Sequence, residues 1–135
     1  MNVSALYLNL PVSDIPRTRK FWENLGFRFN EQFSDEKAIA LILKEGSIYA
    51  MLISHPHFST FTNRPISDGS TTQLITAIQV ETREQVDEII RLALANGATR
   101  FKECTDLGWM YYDSFSDPDG HQWEVMHANL QTPQQ

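Results

Sequence analysis

The stretch LNLPVSDIPRTRKFWENLGF, residues 8–27, decides the fold. Together with Leu6 and Tyr7 its first residues alternate, with Leu6, Leu8, Leu10 and Val12 on one side and Tyr7, Asn9 and Pro11 on the other. That period of two belongs to a strand whose faces meet different surroundings. Ser13 or Asp14 then offers an oxygen to cap a helix. Ile15, Phe21, Trp22 and Leu25 follow at spacings that form an apolar stripe, and Gly26 ends it. The prediction is a strand over residues 3–12 and a helix from about Ile15 to Leu25. Three extended runs come next, from Phe27, Ala38 and Ser47, separated by polar residues that include Lys44-Glu45-Gly46. The first half therefore reads β-α-β-β-β.

Residues 55–73, HPHFSTFTNRPISDGSTTQ, are rich in Ser, Thr, Pro and Gly and read as a connecting segment. The pattern then restarts. Leu74 to Val80 has strand character, Thr82 is placed to cap a helix, and Val86, Ile89, Ile90, Leu92 and Ala93 keep a helical period up to Gly97. Extended runs are expected around Thr99-Arg100-Phe101, from Trp109, and from His121, the last two joined across Asp117-Pro118-Asp119-Gly120. The organisation is one domain over residues 1–135, with module one at about 1–54, a connecting segment at about 55–73 and module two at about 74–128. A lone module with one helix would leave one sheet face uncovered, so two are expected to share a sheet system in an α+β fold.

Composition narrows the function classes. With 135 residues, 41% apolar and 21% charged, the chain is long enough for a real core and ordinary for a globular protein. Eleven basic against seventeen acidic residues give a net charge of −6, which disfavours nucleic acid and anionic membrane surfaces as partners. Cys104 is the only cysteine, so there is no disulfide framework or cysteine-based zinc site. The N-terminus lacks the basic start and apolar run of a signal peptide, and no stretch approaches the roughly 20 apolar residues that span a bilayer. A cytoplasmic location is expected.

The motifs LNLPVSDIPRTRKFWENLGF near the start and FSDPDGHQWEV near the end, in this order within a doubled β-α-β-β-β pattern, resemble the vicinal oxygen chelate superfamily. This is the glyoxalase, bleomycin resistance and extradiol dioxygenase superfamily. The resemblance implies that the two modules curve into a half-open barrel around a concave cavity that holds a divalent metal or a small organic ligand. It also implies association into a homodimer. Metal-dependent members carry a His in the first strand, where this chain has Tyr7, and a Glu four residues after the turn glycine, where it keeps Glu124. A third ligand position falls on Ile75, and a second near Met51 or Leu52 with the register open by one. None of these three is a plausible donor for a hard or borderline divalent ion. Only Glu124 of the expected set survives, where a mononuclear site needs three or more protein groups. No metal ligands and no cofactor are assigned. A divalent metal stays open only through Glu124.

Parity along the last strand puts Gln122, Glu124 and Met126 on one face and Trp123 and Val125 on the other. Glu124 is thus the catalytic candidate, either as a general base or as a polar anchor. The bland alternative is a structural carboxylate bonded to a neighbour such as Tyr7 or Asn9. Tyr7, Asn9, Met51, Met110, Tyr112 and Gln122 are the ligand-binding candidates. For Tyr7, packing with a satisfied hydroxyl is the plainer reading. Phe115 could also line a pocket, core packing being the competing use. His55 and His57 read as part of a solvated loop, His121 and His127 as helix-side residues, and Cys104 as a small buried or half-buried one. Two functions remain open. One is a small-molecule-binding glyoxalase-like protein similar to the bleomycin resistance branch; the alternative is a metal-dependent lyase or dioxygenase resembling lactoylglutathione lyase.

Overall fold

The alternation along the first strand and the cap after it both appear in the computed structural model, which describes residues 1–129. Strand β1 spans Leu6–Val12 and helix α1 spans Ile15–Asn24. The Asp14 carboxylate accepts a hydrogen bond from the Arg17 backbone N–H at 3.0 Å, and Pro16 lies in the first turn, where its missing N–H costs nothing. Gly26, at φ +92°, turns the chain out of the helix. Strands β2 (Arg28–Asn30), β3 (Ala38–Lys44) and β4 (Ile48–Ser54) follow, with one 3-10 turn at Glu31–Phe33. The sheet order is β1-β4-β3-β2; β1 and β4 run parallel, and the other pairs are antiparallel.

Helix α1 packs on β3 and β4. Val12, Phe21, Trp22, Ile39, Leu41, Ala50 and Leu52 are buried there, and each fully buried aliphatic side chain contributes about 1.5–3 kcal/mol. Thr18 is also buried, completing the stripe at a position where the sequence shows only a polar residue. The connecting segment differs from a plain loop, because His55–Phe58 forms one helical turn, α2. Pro56 ends the strand, and its fixed φ suits a first helical turn.

The chain divides into two units, Met1–Asp68 and the residues from Gly69 onward. The second repeats the element order with β5 (Ile75–Gln79), α3 (Arg83–Ala95), β6 (Thr105–Asp106), β7 (Met110–Ser116) and β8 (Gln122–Ala128). Its sheet order is β5-β8-β7-β6, again with the outer and last strands, β5 and β8, in parallel. The Thr82 hydroxyl accepts from the Gln85 N–H at 3.1 Å while Gln85 accepts from the Glu81 N–H at 2.9 Å, so the two side chains cap α3 reciprocally. Val86, Ile90 and Ala93 are buried on α3, and Phe115, Trp123 and Val125 are buried in the sheet beneath it.

Two expectations need correction here. Thr99-Arg100-Phe101 is not a strand; only Thr99 bridges to Ser116, and the third strand is the two-residue β6 further along. Arg100 instead reaches in to chelate the buried Asp113 carboxylate at 2.8 and 3.0 Å. Phe115 does not line a pocket, since it stacks on Trp123 in the helix-side core with centroids 6.4 Å apart.

Candidate functional site

The DPDG turn sets the direction of the last strand. Asp117 is buried, and its Oδ1 accepts from the backbone N–H groups of Asp119 and His121, each at 3.0 Å. Its Oδ2 accepts from the Trp123 indole N–H at 3.0 Å. Burial pushes the Asp117 carboxyl up, opposed by His121 and by these three donors. Gly120, at φ +85°, supplies the left-handed residue that the turn requires. The turn is thereby fastened to a core indole, and Glu124, the next residue along, is forced to the opposite face.

The register assembles the face of the second sheet that is turned away from α3. Glu124 sits between Ala77 on β5 and Ser114 on β7, and Gln122 lies between Ile75 and Ser116. Met110 and Tyr112 lie on the same side, opposite Ala128 and Met126. Four predicted site residues, Glu124, Gln122, Met110 and Tyr112, therefore share one face. Glu124 is half-buried, and no donor in its own unit among the described residues hydrogen-bonds its carboxylate. Gln122 is already engaged, accepting from the Thr72 hydroxyl at 2.8 Å.

Sequence reasoning missed Lys102. Its Nζ donates to the Tyr112 hydroxyl at 2.7 Å and lies 5.0 Å from the ring centroid, and Glu124 acts on both groups through space. The hydrogen bond from Lys102 holds the Tyr112 phenol below its ordinary pKa. Ser114, buried beside Glu124, accepts from the Lys102 backbone N–H at 3.1 Å and donates to its carbonyl at 3.0 Å, which brings the lysine onto this face. Nothing in the local sequence pattern signals a side chain that enters from a loop.

In the first unit Tyr7, Asn9 and Met51 also share a face, the one turned away from α1. Tyr7 pairs with Tyr49 and Asn9 with Met51, so Met51 lies on this side while Leu52 is fully buried on the other. Tyr7 is 60% exposed and packs by stacking on Tyr49, with ring centroids 5.2 Å apart. A cavity of about 440 Å³ lies over this face.

Ile75 occupies the Glu124 side of its sheet and is 45% exposed, with no donor atom to offer. Among the described residues no three His, Cys, Asp or Glu side chains are grouped so as to hold a metal ion. His57 packs edge-on to Phe61, and His127 Nδ1 lies 3.2 Å from the Val80 carbonyl oxygen. Cys104 is exposed rather than buried, because the chain bends away from the sheet before the short β6. Tyr111, Arg83 and Arg100 are its neighbours.

Two four-stranded mixed sheets, each with a parallel pair at one edge and a helix packed on one face, define an α+β protein of paired modules. Residues 4–125 match the model of the Glyoxalase/Bleomycin resistance protein/Dioxygenase superfamily, and the chain belongs to that superfamily. No curated protein matches it significantly. Among solved structures it resembles a hypothetical protein of S. aureus, at 23% identity over 95% of this chain and 96% of that one, TM-score 0.79. A glyoxalase/bleomycin resistance protein/dioxygenase family enzyme of Burkholderia phytofirmans PsJN is similar at 21% identity over 90% and 96%, TM-score 0.73. The bleomycin resistance determinant of transposon Tn5 aligns at 20% identity over 93% and 98%, TM-score 0.63. No helix among the described residues is long and apolar enough to cross a membrane.

Proposed function

We propose that this protein binds a small organic molecule on the helix-free faces of its sheets, without a complete metal site, and acts as a cytoplasmic homodimer. The supporting observation is the donor set. Positions that carry ligands in metal-dependent relatives hold a phenol at Tyr7, a thioether at Met51 and an alkyl chain at Ile75, while Glu124 stands half-buried with no hydrogen bond from the described residues of its own unit. A carboxylate so placed is available to a ligand donor. A metal-dependent lyase or dioxygenase would need ligands that these side chains do not supply.

A library screen for compounds that raise the melting temperature, run beside elemental analysis and light scattering, tests the proposal. The expected outcome is at least one stabilising compound whose affinity falls about tenfold to hundredfold in Glu124→Gln, as expected for loss of a charge-assisted hydrogen bond of about 1.5–3 kcal/mol. The protein is expected to carry no stoichiometric metal and to have a dimer mass at micromolar concentration. One divalent ion per chain, lost in Glu124→Gln, would restore the lyase or dioxygenase reading.

A further inference from the structure

The first unit's cavity has a lining that specifies a class of ligand. The register places Asn30 beside Ala40, Ala40 beside Met51, and Met51 beside Asn9, so one row crosses all four strands. Its ends are amides and its middle is apolar. Three strand spacings separate the two asparagine backbones by roughly 14 Å. The next row brings Tyr7 against Tyr49, stacked at 5.2 Å with planes 13° apart, and the Tyr49 hydroxyl accepts from the Gly46 N–H at 2.7 Å, which fixes that ring. Phe33, 65% exposed on its 3-10 turn, adds apolar surface. The cavity is a half-open cleft, and its volume of about 440 Å³ falls within the roughly 300–1,000 Å³ of small-molecule sites.

Charge and shape select among occupants. No described residue that lines the cavity is charged, and the register puts Arg28, exposed, on the same face one row away beside Ile42, so a cation is disfavoured and an anion would have to give up hydration inside an uncharged lining or stay at the rim with Arg28. The parallel stacking turns each tyrosine face toward its neighbour, and a cation finds no cage of converging ring faces. A flat apolar ring, by contrast, fits over Ala40, the smallest residue of the row, with Met51 beside it. Asn30 Oδ1 already accepts from the Gln32 N–H at 3.1 Å, which leaves its NH₂ as the donor for a ligand carbonyl or ring nitrogen. Asn9 has no hydrogen bond from its own unit among the described residues and offers both a donor and an acceptor.

We infer that the helix-free face of the first sheet is a subsite for an uncharged planar aromatic molecule bearing an amide-like edge, seated over Ala40 and Met51 and hydrogen-bonded by Asn9 and Asn30. The inference rests on the proposed small-molecule function and names its ligand class. The probe is 2-naphthamide, compared with 2-naphthoate and 2-naphthylmethylammonium, by calorimetry and by NMR of the asparagine side-chain amides on the full chain. The amide is expected to bind at least tenfold more tightly than either ion and to shift the Asn9 and Asn30 NH₂ resonances. Ala40→Met, which fills the floor, is expected to weaken it at least tenfold. Should that variant fail to fold, Tyr7→Ala, at an exposed position, replaces it, with a severalfold loss expected. Equal binding of either ion, or an affinity untouched in the folded variants, overturns the inference. So does a variant that alters dimer dissociation and leaves the amide's affinity alone, since a second copy would then be the occupant. If 2-naphthamide fails while charged library compounds bind in a Glu124-dependent way, this inference falls and the proposed function stands; if no compound of any class binds, the proposed function falls with it.

Discussion

In the first sheet the parallel pair β1 and β4 carries Tyr7, Asn9, Tyr49 and Met51 on its helix-free face, whereas the equivalent pair β5 and β8 carries Ile75, Gln122 and Glu124, with Lys102 and Tyr112 close by. Strand order and helix placement are the same in both. The helix-side faces are also alike in kind: Val12, Leu41 and Leu52 under α1, and Phe115, Trp123 and Val125 under α3, are all nearly inaccessible. Strand register is fixed by the buried side, because a slip of one residue would turn every apolar side chain to the other face. The opposite face is then free to change without loss of the fold. One unit has used that freedom for rings and amides, with Arg28 exposed on the edge strand, the other for an ammonium, a phenol and a carboxylate.

Removing a helix-side anchor should break this division most severely. Trp123→Ala leaves a cavity under α3 and deprives the buried Asp117 carboxylate of its indole donor, with an expected loss of about 3–5 kcal/mol in urea denaturation. A loss below about 1 kcal/mol would mean that the helix-side residues do not hold the register of β8. Glu124 would then need another explanation for its direction.

How far the sequence could be read follows the same division. Alternation from Leu6 to Val12 and from Gln122 to Met126, together with two capped amphipathic stripes, marks each strand and helix because burial imposes a period on the residues concerned. Parity alone placed Glu124 away from Trp123, and it would equally have joined Tyr49 to Met51 had β4 been followed outward. Short elements were less legible. Two-residue β6 imposes no period, and a single helical turn at His55 looks like a loop in any window long enough to show one. Least legible was Lys102, whose reach to Tyr112 depends on two hydrogen bonds between its backbone and Ser114. Asp117 was seen as part of a turn; its bond to the Trp123 indole, which aims the strand, is a tertiary fact.

A subtler effect sharpens the comparison within a single strand. Tyr111 and Tyr112 are adjacent on β7 and so project to opposite faces. Tyr111 points to α3, where its hydroxyl donates to Asp87 at 2.5 Å. That hydrogen bond, a second one with Cys104, and burial raise its pKa well above the ordinary value of roughly 10. On the other face, the hydrogen bond from Lys102 lowers that of Tyr112. The two contributions to stability have opposite signs. Tyr111 keeps a proton that the unfolded chain gives up near pH 10, so its stabilisation is complete below that pH and declines above it. Tyr112 gives up its proton earlier than the unfolded chain does; its stabilisation is present above roughly pH 10 and is lost as pH falls through the folded value. A phenolate absorbance titration of the native protein should therefore show an early step that vanishes in Tyr112→Phe and a last step that vanishes in Tyr111→Phe. Lys102→Met should move the early step up toward the ordinary value while leaving the late one in place, since the ammonium and Tyr111 act on different sides of the sheet. If Lys102→Met leaves the early step where it was, the contact between Lys102 and Tyr112 does not persist in solution. The charged character assigned to the second sheet's helix-free face would then rest on Glu124 alone.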